Sequence, residues 1–282
     1  MRYSISVVIP VLNEADHAGR LIEELGILKD VEVIVVDGGS SDTTQTILND
    51  FNHLKRINTV ASRGLQLNEG AAVANGDILW FLHADSKVPK GWRELIEETL
   101  NESGAVAGSF PLRFSTNHWL LNLFGTFSRI NHPLFTYGDQ GYFMKRSMFH
   151  KVGGYKNFPI LEDVEIQCRL RKLGRWKKTQ TTITTSARRF IAKGILRQQL
   201  KNIAIVSGFM LGVSPVWLSR FYRPEDYDVV RPAAQFASLK PTVLNDSESR
   251  NGRFTRLPFW IRSWSASFLA MLGSLSFKPR AR

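Results

Sequence analysis

Residues 31–44 read VEVIVVDGGSSDTT: a Val/Ile-rich run, then an acid, two glycines and a series of short polar side chains. An unbroken β-branched run of this length fits a strand buried on both faces, and the turn at Asp37, Gly38 and Gly39 leads into a helix starting near Asp42. The same order recurs on either side of it. ISVVIP, from Ile5, reads as a strand ending near Ile9, because a proline at Pro10 cannot donate to a ladder. Asn13 is the expected cap of the next helix, with Glu14 and Asp16 in its first turn and Ala18, Leu21, Ile22 and Leu25 at helical spacing. A short strand over 55–61 precedes a helix over 65–74, and DILWFL precedes a helix after Pro89. Four strand-helix alternations predict an α/β fold, with a mostly parallel central sheet and helices on both faces.

Beyond Gly104 the rhythm changes. AVAGSFPLRF is followed by an apolar helix over 119–130, whose Trp119 and Phe124 are assigned to the core, and then by the glycine-rich YGDQGYFMKR. A helix over 159–173 is expected to end on Gly174 as its C-terminal cap, and RWKKTQTTITTSARRF has the threonine-rich character of an edge strand. From residue 224 prolines and mixed charge replace periodicity. This divides the chain into a domain over 1–223 and a basic linker with an apolar tail over 224–282. In the tail Trp260, Trp264, Phe268 and Leu272 recur at i, i+4, flanked by basic residues, which predicts a membrane-surface helix rather than a spanning one.

The net charge is +12 over 282 residues, and no acid occurs between Glu165 and Glu225, a stretch with thirteen Lys and Arg. An anionic partner is implied: a diphosphate-bearing substrate, an anionic membrane surface or nucleic acid. A nucleic-acid reader would show a basic-aromatic platform or a helix-turn-helix, and neither is present. No G-x-G-x-x-G follows a strand, which argues against a nicotinamide dehydrogenase. The single cysteine, Cys168, reads as a buried thiol, and with no signal-type opening it suggests a cytoplasmic protein, peripheral on the inner membrane face if the tail engages lipid. His17, His53, His118, His132 and His150 show no ligand spacing and are assigned to surface or core.

In an open parallel sheet, ligands bind beyond the carboxyl ends of the strands. Four polar clusters stand there: Pro10 to Glu14, DGGSSDTT from Asp37, SRGLQLNEG from Ser62 and HADS from His83. A carboxylate at Asp37 can accept from a base N–H or a ribose hydroxyl. In HADS an imidazole and a carboxylate lie two residues apart in extended chain, on one face, a pairing that suits a divalent cation shared with diphosphate oxygens.

The ordered motifs SVVIPVLNEAD, VIVVDGGSSDTT, RGLQLNEGAAVANGDILWFLHADS, YGDQGYFMKRSMFHKVGGY and LEDVEIQCRLRKLG resemble those of the family 2 glycosyltransferases with a GT-A fold, over about residues 4–223. More narrowly, HAD, GDQG, SARRF and GVSPVWLSRFY are similar to a bacterial subgroup associated with arsenosugar or radical-SAM gene neighbourhoods. The family resemblance implies an inverting transferase. It would move a sugar from a nucleotide-diphosphate donor to a hydroxyl acceptor, either a small molecule or lipid-linked, with Mn2+ or Mg2+ as cofactor. It implies that Pro10, Asn13 and Glu14 contact the nucleotide, that Asp37 recognises base or ribose, and that Arg63 and Asn68 lie beside the donor. Asp85 matches the metal-binding Asp that closes the family's D-x-D, whereas His83 replaces the first Asp, so that it contacts ribose or metal or the site uses fewer protein ligands. Glu162 and Asp163 match the family's catalytic acid pair, with Asp163 the base. Asp139 and Gln140 fall in the loop that borders acceptor and donor sugar, and Arg188 and Arg189, from the acid-free stretch, suit the diphosphate. The competing readings are a non-catalytic sugar-nucleotide binder, raised by His83, and a basic nucleic-acid-binding protein.

Overall fold

The expected alternation opens the chain: β1 (Ile5–Val11), α1 (Ala15–Leu25), β2 (Val31–Asp37), α2 (Thr44–Asn49), β3 (Lys55–Asn58), α3 (Arg63–Ala72), β4 (Ile78–Phe81) and α4 (Trp92–Asn101). The computed structural model describes residues 2–26 and 28–222, so the linker and the expected tail helix lie outside the described residues. The four strands run parallel in the order β3-β2-β1-β4, with Val11 opposite Asp37 and Val8 opposite Phe81. The unbroken apolar runs follow from two separate cores. Val7, Ile9, Val33 and Val35 face one cluster, with Leu21 and Ile22 of α1, while Val8, Ile34 and Val36 face the other, with Leu67 and Ala71 of α3.

Strand β1 continues through Pro10 to Val11, past the end expected at Ile9. The Val8 carbonyl accepts from Leu82 on the β4 side and the Val11 carbonyl from Gly38 on the β2 side. Alternation puts Pro10 on the β4 side, where β4 has already ended at Phe81, so no ladder bond is lost. The expected cap is also corrected. Asn13 has a left-handed φ of 52° and does not cap α1; its Oδ1 accepts from the Ser41 N–H at 2.8 Å and its own N–H donates to Ser40 Oγ at 3.0 Å. It ties the loop after β1 to the loop after β2.

The second half adds β5 (Ala105–Ser109), β6 (Leu112–Phe114), α5 (Trp119–Phe127), 3-10 turns at Pro133–Phe135 and Gly138–Gln140, β7 (Tyr142–Lys145), α6 (Arg146–Val152), α7 (Glu162–Leu173), β8 (Arg175–Lys178), β9 (Ile183–Thr185), α8 (Arg188–Lys193), α9 (Ile195–Met210) and α10 (Pro215–Ser219). Seven strands form the main sheet in the order β3-β2-β1-β4-β7-β5-β8, and β6 pairs with β9 separately. The expected edge strand is therefore two strands, β8 on the sheet edge and β9 beside β6. Strand β7 is antiparallel to β4, with Tyr142 opposite Phe81. Its amino end consequently lies at the carboxyl end of β4, which delivers the 133–141 segment to the same edge as HADS. Among the described residues no helix is long and apolar enough to cross a membrane.

Two further expectations change. Gly174 ends α7, but in an extended conformation rather than as a left-handed cap. Glycine is needed there for close approach, since a Cβ would lie 2.4 Å from Val106 Cγ1. Trp119 is 73% exposed and not in the core, whereas Phe124 packs partly buried against it.

Gly70, on α3, would place a Cβ 2.3 Å from Val8 Cγ1 and 3.0 Å from Val36 Cγ2. Gly70→Ala should destabilise the domain by about 1–3 kcal/mol through overpacking, despite the better helix propensity of alanine. Urea denaturation measures it through a lowered midpoint at unchanged m-value.

Candidate active site

The carboxyl ends of β1, β2 and β4 share one edge, and the loops that leave them are cross-linked. Asp37 is 3% exposed; its Oδ1 accepts from the Ser40 N–H at 3.0 Å and Oγ–H at 2.6 Å, and its Oδ2 accepts from Gln45 Nε2 at 2.7 Å. Through Ser40 the carboxylate reaches Asn13, and the Glu14 N–H donates to Thr44 Oγ1 at 2.9 Å. Glu14 pairs with Arg188 at 3.4 Å. Burial raises the Glu14 pKa first and the charge of Asp85 second, while Arg188 and Arg189 oppose both. Pro10, Asn13, Glu14, Asp37, Asp85, Arg188 and Arg189 therefore gather on one side of the sheet. A cavity of about 240 Å3 is lined by Asp37, Gln45, Arg56 and Asn58, and the other candidate residues lie outside it.

A second cluster faces the first from α7. Leu161 takes a left-handed φ of 67°, costly for a branched side chain, and so turns Glu162 and Asp163 into the first turn of α7. Asp163 Oδ2 accepts from the Gly138 N–H at 2.6 Å and Oδ1 from the Val164 N–H at 2.8 Å. A Cβ on Gly138 would sit 3.2 Å from that Oδ2, so glycine permits this contact. Glu162 is 4% exposed and 3.5 Å from Arg63; burial raises its pKa first, then the charge of Asp163, against Arg63. Burial also pushes the Asp139 carboxyl up to about 7, helped by Asp163 and Asp85, and its Oδ1 has no hydrogen-bond partner. Asp85 thus belongs electrostatically to both clusters.

Two expected residues are occupied elsewhere. Asn68 donates from Nδ2 to the Tyr155 carbonyl at 2.8 Å and accepts on Oδ1 from the Tyr155 N–H at 2.9 Å, so it braces the loop before α7. Gln140 is fully buried; its Nε2 donates to the Phe135 carbonyl at 2.6 Å and its Oε1 accepts from Lys178. It shapes the loop from within and cannot touch an acceptor. Three other groups were not singled out from sequence. Burial lowers Lys178 to about 7, with Arg171 adding to this and Asp139 opposing it. His17, assigned to surface or core, has both ring nitrogens buried without partners, in the fields of Arg188 and Asp85. Tyr222 is raised to about 12 by burial, in a field that includes Arg189, Asp163 and Glu162. Elsewhere, His118 and His132 accept backbone N–H bonds at the starts of α5 and the 133–135 turn, and Cys168 is half-buried with its pKa raised by burial.

Among the described residues no group of three or more His, Cys, Asp or Glu side chains is set to hold a metal ion. The candidate cation ligands are therefore those of the HADS turn, Asp85 and His83 two residues before it. Burial, with Arg63 and Arg189, holds the His83 ring well below its usual pKa, so it stays neutral at pH 7, and its Nε2 is buried without a partner. A neutral imidazole with a spare nitrogen suits ligation beside Asp85, provided a ligand's oxygens complete the shell.

Because the folded pKa of Asp139 lies near 7 and its unfolded value near 3.8, the native state binds the extra proton between those values. This contribution is lost as pH rises toward 7. Asp139→Asn should therefore raise the unfolding midpoint at pH 8 by at least ~2 °C and change it little at pH 4, by differential scanning calorimetry. Equal shifts at both pH values would show that Asp139 carries no such linkage.

Comparisons with known proteins identify the family and the fold. The family model described as Glycosyl transferase family 2 matches residues 6–153, over half of the chain. The probable glycosyltransferase YdaM of Bacillus subtilis (strain 168) is 28% identical over 201 residues, covering 60% of this chain and 47% of that protein. The chain thus spans about half the length of the curated relative it matches. Two solved structures share the fold at low identity. The mannosyltransferase PcManGT from Pyrobaculum calidifontis, in complex with GDP-Man and Mn2+, aligns with a TM-score of 0.58 at 18% identity, covering 99% of this chain and 77% of that one. S. aureus TarS 1-349, in complex with UDP-GlcNAc, aligns at 0.55 and 16% identity, covering 73% of this chain and 66% of that one. The α/β sheet with its antiparallel β7 is thus of the GT-A type, and the chain belongs to glycosyl transferase family 2.

Proposed function

We propose that the chain is an inverting glycosyltransferase that moves a sugar from a nucleotide-diphosphate donor to a hydroxyl acceptor, with Asp163 as base. The observation that carries this reading is the convergence of Asp163, Asp139 and Asp85 with Arg63 and Arg189 where the ends of β1, β2 and β4 meet the start of α7. Asp37 and the Asn13–Glu14 loop take the nucleoside, and Arg188 and Arg189 take the diphosphate. In the transfer, the acceptor oxygen bonds to the anomeric carbon as the bond from that carbon to the diphosphate oxygen breaks. The electron pair leaves with the diphosphate, and the acceptor proton passes to the Asp163 carboxylate. Each oxygen of Asp163 accepts one backbone N–H and retains a lone pair for this proton. Glu162, buried against Arg63, is the poorer base for an incoming hydroxyl.

The PcManGT complex contains GDP-Man with Mn2+, and the TarS complex UDP-GlcNAc. These supply the classes of donor and metal proposed here. Held by Asp85 and His83, a divalent cation would supply positive charge to the departing diphosphate. The HAD, GDQG, SARRF and GVSPVWLSRFY segments add the arsenosugar- or radical-SAM-associated subgroup as the proposed genomic context.

Asp163→Asn preserves size but removes the proton acceptor, and its amide keeps one of the two backbone N–H bonds that the carboxylate accepts. Sugar transfer under single-turnover conditions should fall by roughly 100-fold or more, with the apparent affinity for the sugar nucleotide changed little. Glu162→Gln should cost less. Near-normal transfer by Asp163→Asn, with loss in Glu162→Gln, would shift the base by one residue.

A further inference from the structure

Helix α5 carries Trp119, Leu123 and Phe127, exposed by 73, 41 and 39% of their surface. Their spacing of four residues sets them on one stripe, with Leu121 and Gly125 buried on the helix's inner side. Helix α9, in contact with α5, exposes Leu196 and Leu200 by 56 and 42%, and α10, in contact with α9, exposes Trp217 by 38%. A lone exposed apolar residue is ordinary, but stripes repeated on touching helices mark a surface that meets another apolar phase.

The charge around it selects the partner. No acid lies between Glu102 and Asp139 or between Glu165 and Glu225, so α5, α8, α9 and α10 contain none. Arg129, Arg197 and Arg220 are exposed beside the stripes. A second copy docked on this face by two-fold symmetry would bring the same cations together, and the chain beyond residue 248 is free of acids as well. An anionic lipid surface has the complementary sign, and tryptophan favours the headgroup zone.

We propose that the outer face of α5, α9 and α10 docks on an anionic bilayer, inserting Trp119, Leu123 and Phe127 into the interfacial zone with the arginines over lipid phosphates. This does not depend on the catalytic reading of the site. It also differs from an anchor in the tail, because the surface belongs to the folded domain.

The test is sedimentation of the full chain with vesicles of phosphatidylcholine containing phosphatidylglycerol, and with phosphatidylcholine alone. The chain should pellet with the mixed vesicles only, and Trp119→Ser/Leu123→Ser should lower the partition coefficient at least ~10-fold, from the apolar area no longer buried. Arg129→Ser/Arg197→Ser should lower it to a similar extent, since each cation near an anionic leaflet contributes about fivefold. Val73→Ser is the control, altering an equally exposed residue on the helix layer over the other face of the sheet, and should change nothing. Thermal midpoints equal to that of the parent establish that the variants fold. Unchanged partitioning of the α5 variant overturns the proposal, as does equal binding to phosphatidylcholine alone. A parent dimer by light scattering that Trp119→Ser/Leu123→Ser splits would also overturn it, by assigning the face to a second copy.

Discussion

Strand β1 is hydrogen-bonded in parallel to β2 on one flank and to β4 on the other, and the shared edge on which the candidate groups meet follows from that double pairing. Parallel partners must end at the same edge, so Asp37 and the His83–Asp85 turn emerge beside the loop that follows Val11. The crossovers that parallel pairing demands are α1, α2 and α3, and these supply the apolar surfaces that bury β1 from both sides. The single reversal, β7 between β4 and β5, has the opposite consequence. It starts at that edge rather than ending there, and so brings Gly138 and Asp139 to within reach of Asp163 on α7.

This assembly concentrates like charge. Burial and the charges of Asp163 and Asp85 raise the Asp139 pKa, burial and Asp163 raise that of Glu162, and Arg63 and Lys178 oppose these shifts only in part. Burial of these acids, with their crowding, costs stability, which the pH-dependence expected of Asp139 reports. The cost is relieved by a proton on Asp139 or by a ligand that brings its own counter-charge. A diphosphate facing the arginines, with a cation facing the acids, satisfies both signs at once. The left-handed Leu161 at the start of α7 is consistent with the same balance, since backbone strain tends to persist where a site requires it.

Much of the fold was legible because β1, β2 and β4 are buried on both faces, which gives unbroken apolar runs that no surface strand would tolerate. The strand-end acids were legible for the same reason: a polar residue directly after such a run has nowhere to be but the sheet edge. Side-chain direction was not. Asp139 and Gln140 are adjacent, yet Gln140 turns fully inward to Phe135 and Lys178, a distinction set by a 3-10 turn that has no periodic signal. Asn68 looks like a helix-start ligand until Tyr155, far along the chain, claims both ends of its amide. Trp119 was misassigned because an apolar helix at the surface and one in the core can have the same composition, and only the packing of α5 on β6 decides which stripe is covered.

The most direct measurement is calorimetric titration of the full chain with a panel of UDP- and GDP-sugars, with and without Mn2+, for the parent and for Asp85→Asn. If the edge built by β1, β2 and β4 is a sugar-nucleotide site, at least one member of the panel binds more tightly with Mn2+, and Asp85→Asn abolishes that difference while leaving metal-free binding nearly intact. Binding of no sugar nucleotide, or an Mn2+ effect that survives in Asp85→Asn, would contradict the assignment.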